Sequence, residues 1–227
     1  VAVDMKALLE AGVHFGHKTS RWHPKMAPYI HSKRQETHII DLVKTAEGLE
    51  AALPFITKTV ASGKKVLFVG TKKQHKEIVK AAAESAGMPY VTERWVGGML
   101  TNVATMGTQI KKLHDLEKRM ASGDLEKRYN KLEVQRFQEE IDVLNSKYDG
   151  IKNLEGQPGA VIVVDTINDA GAIREARNLK VPVVGVVDTN ADPTLVDYVI
   201  PGNDDAIKGT QLLLDYFVAA VKEGAVK

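Results

Sequence analysis

The run Lys65-Val66-Leu67-Phe68-Val69-Gly70 sets four apolar residues between a lysine and a glycine. A short, uninterrupted apolar run closed by glycine is the pattern of a strand buried on both faces, since neither face meets water and no polar alternation is required. Downstream, residues 71–86 have helical spacing and stop at Gly87 and Pro89, and 90–92 follows as a second strand. Three further apolar runs, Ala160–Val164, Val183–Val187 and Tyr198–Ile200, alternate with helical segments near 169–179 and 204–222. Upstream, residues 4–11 read as a helix between Asp4 and Gly12, and 43–62 as a helix interrupted at Pro54, whose ring removes a backbone donor. Strands joined by helix-length crossovers imply right-handed βαβ units and a parallel sheet covered on both faces. The fold class is therefore α/β, a doubly wound parallel sheet of about five strands.

One segment stands outside this alternation. Val103, Met106, Ile110, Leu113 and Met120 recur at spacings of 3, 4 or their sum, Ala121-Ser122-Gly123 interrupts, and Leu125, Tyr129 and Leu132 resume. Val134, Phe137, Ile141, Leu144 and Tyr148 continue the second stretch. Two apolar stripes around a Ser-Gly turn predict an inserted antiparallel coiled-coil helical hairpin, with the near-duplicate DLEKR at 115–119 and 124–128 as its charged tip. The competing arrangement lays these helices flat on the sheet. The expected organisation is an N-terminal arm and first part of the α/β domain over 1–102, the hairpin over 103–150, and the remainder of the α/β domain over 151–227.

Residues 12–38 show no sustained period, yet Phe15, Trp22, Tyr29 and Ile30 argue against plain disorder. An aperiodic stretch of this length in a compact domain is expected to be functional, and we read it as an ordered arm docked on something. The chain has no cysteine, which excludes disulfides, thiolate nucleophiles and sulfur-ligated zinc. No window approaches the ~18 apolar residues of a membrane helix, and the N-terminus lacks a secretory layout, so the expectation is a cytoplasmic chain without a membrane partner. The net charge of +2 hides an asymmetry. Residues 1–110 carry 15 Lys/Arg against 9 Asp/Glu, 111–152 carry 10 against 9, and 153–227 carry 6 against 11. A basic half joined to an acidic one is the layout of a chain with an oriented seat on a polyanion.

As an enzyme, a doubly wound sheet would act at the carboxyl ends of its strands. Gly70-Thr71-Lys72-Lys73-Gln74 sits there, but it has neither P-loop nor GxGxxG spacing. Asp165, Asp188, Asp204 and Asp205 follow later strands; with His17, the last three are candidates for a structural divalent cation. Helix capping and turn formation explain the same aspartates, and no cofactor is required. No nucleophile elbow or ordered Ser, His and Asp set is present, so no catalytic residue is assigned.

Nucleic-acid binding fits better. Lys18, Arg21, Trp22, His23, Lys25, Lys33 and Arg34 interleave cations with a ring that can stack on bases. Lys72, Lys73, Lys76 and Lys80 place positive charge along one helix and its start, suited to phosphates. Arg94-Trp95-Val96-Gly97-Gly98-Met99-Leu100-Thr101-Asn102 adds a cation beside an aromatic, with a Gly-Gly that allows a sharp turn or a close approach to a sugar-phosphate chain. Trp95 and Met99 could equally plug the junction between sheet and hairpin.

At these residues the chain resembles a known family. Gly12-Val-His-Phe-Gly-His17, Trp22-x-Pro24-Lys25-Met26, Gly70-Thr-Lys72, Arg94 to Asn102, Asp188-Thr-Asn-Ala-Asp-Pro193 and Ile200-Pro-Gly-Asn-Asp-Asp-Ala206 are similar, in order and spacing, to the bacterial small-subunit ribosomal protein S-two family. The resemblance runs from about residue 4 to 222. It implies a flavodoxin-like domain with a coiled-coil hairpin, acting as a noncatalytic constituent of the small ribosomal subunit in translation. Its implied partners are small-subunit ribosomal RNA and neighbouring ribosomal proteins, including the mRNA-binding protein S-one, with no small-molecule substrate. Pro54 departs from the family pattern. Organellar relatives look similar, and the missing transit-type segment sets the expectation of a bacterial source. Because fold does not fix function, the alternative is a flavodoxin-like enzyme that binds a nucleotide or metal.

Overall fold

A computed structural model describes residues 3–154 and 156–226. Helix α1 (Met5–Glu10) starts where the Asp4 carboxylate accepts the Lys6 amide. Strands β1 (Phe15–Lys18), β2 (Ile30–Arg34) and β3 (Thr37–Ile40) then form an antiparallel sheet in the order β1-β3-β2. The stretch expected to be aperiodic therefore holds paired strands. Their pattern is hidden because each pairing carries a register shift and β2 is exposed along most of its length, so no apolar alternation is imposed. The β2–β3 turn is made by Gln35 and Glu36, both at positive φ (46° and 62°), a two-residue turn without the usual glycine.

The remaining elements are α2 (Leu42–Ala61), β4 (Val66–Val69), α3 (Lys76–Ser85), β5 (Tyr90–Val91), α4 (Val103–Ala121), α5 (Asp124–Arg128), α6 (Lys131–Tyr148), β6 (Ala160–Val163), α7 (Ala170–Asn178), β7 (Val183–Val187), β8 (Tyr198–Pro201) and α8 (Ile207–Ala225). The five strands β5-β4-β6-β7-β8 form one sheet, every pair parallel, in the order of the flavodoxin-type double winding. Every residue of β4, β6 and β7 is buried, which is why these strands read as unbroken apolar runs. Val66, Phe68, Ile162, Val184 and Ile200 pack with Leu8, Leu49, Ile56, Val79, Leu213 and Phe217 from α1, α2, α3 and α8. Leu67, Val69, Val161, Val163 and Val183 share the second apolar cluster with Ala172, Ile173 and Ala176 of α7.

Two expectations are corrected. Helix α2 is continuous through Pro54 instead of being interrupted. Pro54 and Glu50, whose carbonyl loses its partner, both lie on the exposed side, where water replaces the bond. Helix α3 begins at Lys76, not at residue 71, because Thr71 and Lys72 are held by carboxylates from other strand ends instead of by helical hydrogen bonds. In the helical insertion α4 packs against α6, and their apolar residues run on into the second cluster. Met106, Leu113 and Leu116 of α4, with Ile141, Leu144 and Tyr148 of α6, belong to the apolar cluster that covers the second sheet face. Between the two helices, Glu117 accepts from the Asn145 side chain and Lys112 pairs with Glu140.

Leu113 is fully buried and Leu132 is 59% exposed. Leu113→Ala should lower unfolding free energy by about 2–5 kcal/mol, whereas Leu132→Ala should change it by less than about 0.5 kcal/mol. Urea titrations of the two variants provide the measurement, and equal midpoints would contradict this packing.

Candidate nucleic-acid interface

The loops leaving β4, β6, β7 and β8 bring together residues far apart in sequence. Lys72 follows β4, and its ammonium lies 3.3 Å from Asp165, 3.3 Å from Asp204 and 2.8 Å from Asp205. Asp165 also accepts the amides of Ile167 and Asn168, and Asp169 accepts the amide and hydroxyl of Thr71. Burial opposes the charge on Lys72, but its bond to Asp205 and the fields of Asp204 and Asp165 outweigh it and raise its pKa. Burial, reinforced by repulsion from Asp165 and Asp188, pushes Asp204 up to about 7 despite Lys72. Burial likewise carries Asp169 to about 6 against the bonds from Thr71. The bond to Lys72 holds Asp205 below the usual carboxylate range.

The same cluster anchors the small sheet. His17 on β1 places Nδ1 3.1 Å from Asp188 and Nε2 3.5 Å from Asp205, and the Asp188 bond chiefly raises its pKa. The His17 amide donates to the Thr189 hydroxyl, and the His23 amide to the Thr189 carbonyl. Gly16 is required at this contact, since a Cβ there would stand 2.6 Å from the Thr189 methyl. The arm thus docks on the strand-end loops of its own chain. The four metal candidates His17, Asp188, Asp204 and Asp205 come together, and His17, Asp204 and Asp205 offer ligand atoms within 4.8 Å of one another.

The predicted RNA-binding residues divide into two sets. Lys25 bonds Asp192 at 2.8 Å and Thr194 at 3.0 Å, and the bonds that Lys25 and the Thr194 hydroxyl donate to Asp192 hold it well below the usual carboxylate range. Lys72 is enclosed as described, and Lys76 pairs with Glu93. His23 caps the turn that starts at Pro24, and Asn102 caps α4. By contrast, Lys18, Arg21, Lys33, Arg34, Lys73 and Arg94 are exposed and have no ion-pair partner among the described residues. Lys18 and Arg34 both pair with Thr37 in the small sheet, and Lys33 pairs with His38. Trp22 is 39% exposed, with its ring 5.2 Å from that of His38.

The 94–102 loop is anchored by a residue that sequence reasoning did not single out. Glu175 of α7 accepts from the Trp95 indole (3.0 Å), the amides of Gly98 (2.7 Å), Leu100 (3.0 Å) and Thr101 (3.2 Å), and the Thr101 hydroxyl (3.1 Å). Gly98 takes a positive φ of 91°, so the Gly-Gly makes the turn, and its amide is already used. Trp95 packs against the second-face cluster, in agreement with its reading as a plug. No local pattern marks Glu175; Thr71 and Thr189 lie in motifs just past buried strands, but nothing in those motifs gives their partners.

Residues 8–224 match the family model described as Ribosomal protein S2. The chain is 50% identical over 222 residues to "Small ribosomal subunit protein uS2" of Roseiflexus sp. (strain RS-1), covering 98% of this chain and 84% of that protein. It is 50% identical over 214 residues to the protein of that name from Thermus thermophilus, covering 94% and 83%. For that of Chloroflexus aggregans (strain MD-66 / DSM 9485) the identity is 49% over 222 residues, covering 98% and 93%. These relatives are named as ribosomal proteins, not as enzymes.

The cluster gives a signed pH dependence. Asp204 holds its proton more tightly folded than unfolded, so the stability it contributes is complete below the ordinary carboxylate range and is lost as pH rises through about 7. The raised pKa of His17 acts in the same direction at higher pH. Between about pH 5 and about pH 8, the wild type should lose more than about 1 kcal/mol of stability relative to Asp204→Asn. Urea midpoints across that range test this, and parallel profiles would refute it.

Proposed function

The chain belongs to the Ribosomal protein S2 family and is a protein of the small ribosomal subunit; from that premise we propose that it seats on small-subunit ribosomal RNA through β1–β3. In this reading it is a noncatalytic constituent of the cytoplasmic ribosome. The observation that carries it is the set of exposed cations Lys18, Arg21, Lys33 and Arg34, without ion-pair partners among the described residues, on and beside one small sheet, next to the half-exposed Trp22. Cations fix the register of a phosphate backbone, and an exposed indole offers a stacking surface for an unpaired base. Lys73 and Arg94 are further phosphate contacts. The acidic third of the chain, 6 Lys/Arg against 11 Asp/Glu over 153–227, suits protein neighbours better than phosphate, which supports a part in docking the mRNA-binding protein S-one.

Reversing charge at Lys18, Arg21 and Arg34 together should weaken incorporation into small subunits by more than about tenfold and flatten its salt dependence by ~0.7–0.9 per lost phosphate contact. Reversing Lys208 and Lys222, which lie on α8, should have little effect. Equal losses in the two variants would refute the seat. Lys25 is left intact because its bond to Asp192 serves docking of the arm.

For the strand-end cluster we propose an ionic lock that needs no cofactor, with Lys72 and His17 supplying the positive charge. The proximity of His17, Asp204 and Asp205 favours a second reading, a structural divalent cation. Chelator treatment of the purified chain decides between them. An unchanged thermal midpoint and no stoichiometric metal by elemental analysis support the lock, whereas a midpoint lowered by several degrees and restored by added divalent ion supports the cation.

A further inference from the structure

The loop between β5 and α4 points the amides of Gly98, Leu100 and Thr101, the Thr101 hydroxyl and the Trp95 indole N–H at one spot. Successive backbone donors converging in this way form an anion-binding nest of the kind that elsewhere receives phosphate. Here the anion is the chain's own carboxylate. We infer that Glu175 is the positioning residue of this loop: by filling the nest it fixes where Arg94 is presented to RNA and keeps phosphate off the loop backbone.

Three features give the arrangement its rigidity. Glu175 lies on α7 between Ala172 and Ile173 on one side and Ala176 on the other, all buried against the sheet, so the carboxylate is referred to the core. Gly171, one helical turn earlier, lets the Trp95 ring approach so closely that a Cβ there would stand 3.1 Å from it. At the far end of the loop, the Asn102 amide donates to the Gly98 carbonyl at 2.8 Å and its side chain caps α4, so the nest also sets the start of that helix. Burial disfavours the Glu175 charge, but the bonds from Trp95, Gly98, Leu100 and Thr101 outweigh it and keep the group ionised. Arg94 is exposed with no ion-pair partner among the described residues, so the outward-facing charge of the loop is carried by that side chain.

The inference rests on the proposed RNA contact of Arg94, and the experiment separates the two. Glu175→Ala, Glu175→Gln, Arg94→Glu and Ile173→Ala, a core truncation on the same helix, are compared by amide hydrogen exchange, thermal melting and binding to small subunits that lack this protein. Glu175→Ala should speed exchange at Gly98, Leu100 and Thr101 by more than about tenfold and weaken subunit binding by about the factor seen for Arg94→Glu, with Glu175→Gln intermediate. Ile173→Ala should lower the melting temperature at least as much yet bind as the wild type does. Wild-type exchange at the three amides in Glu175→Ala, or equal loss of binding in Ile173→Ala, overturns the inference. Unchanged binding in Arg94→Glu overturns the reading beneath it, whatever the exchange data show.

Discussion

Burial of carboxylates at the ends of parallel strands is the constraint around which the rest of the molecule is arranged. Asp165, Asp169, Asp188 and Asp204 are each at most 4% exposed, and a buried charge is costly unless paired and hydrogen-bonded. Lys72 meets that demand from the β4 loop and His17 from the small sheet. Backbone amides of the strand-end loops satisfy further lone pairs, as Ile167 and Asn168 do for Asp165. Because the positive partners come from elements distant in the chain, electrostatic satisfaction and tertiary docking are one event. His17 is one of the contacts that hold the small sheet in place, beside the Thr189 bonds and the Lys25–Asp192 pair.

This arrangement also explains why the sheet does not act as its enzymatic look-alikes do. In open α/β sheets, ligands enter the crevice where the strand order reverses, here between β4 and β6. In this chain Lys72 reaches from the β4 loop to Asp165 beyond β6, while Thr71 and Asn168 bond across the same gap and Asp169 closes on Thr71. The crevice is crossed by the protein's own polar groups, in keeping with relatives that are named as ribosomal proteins. Among the described residues, the cations without an ion-pair partner are peripheral, on the small sheet and in exposed loops.

The two sheet faces differ in the same sense. On one face, α2, α3 and α8 bury a mainly apolar layer, and Pro54 is accommodated in α2 because it lies on the solvent side. On the other, the cluster around α7 continues into α4 and α6, so the helical insertion contributes to the core as well as to the surface. Glu175 ties that second face to the loop that launches α4, which links the packing of α7 to the position of an exposed arginine.

The amino-acid sequence by itself determined the parallel sheet and its crossovers. Strands buried on both faces must be unbroken apolar runs, as at Val66–Val69 and Val183–Val187, and that pattern is local. It likewise determined the helical character of 103–148 and the family resemblance, because ordered motifs survive without any knowledge of contacts. Tertiary structure alone decided which lysines are free. Lys25 and Lys72 look like Lys18 and Lys73 in the sequence, yet Asp192 lies 167 residues from Lys25 and Asp204 lies 132 from Lys72. The small sheet was illegible for a related reason: its strands are short, bulged and largely exposed, so no periodicity is imposed on them until His17 meets Asp188. Glu175 was hidden most completely, since a carboxylate that accepts five hydrogen bonds from a loop more than seventy residues earlier leaves no trace in its own neighbourhood. Periodicity records only whether a side chain meets water or core, whereas charge pairing and hydrogen bonding depend on which distant group the fold brings to it.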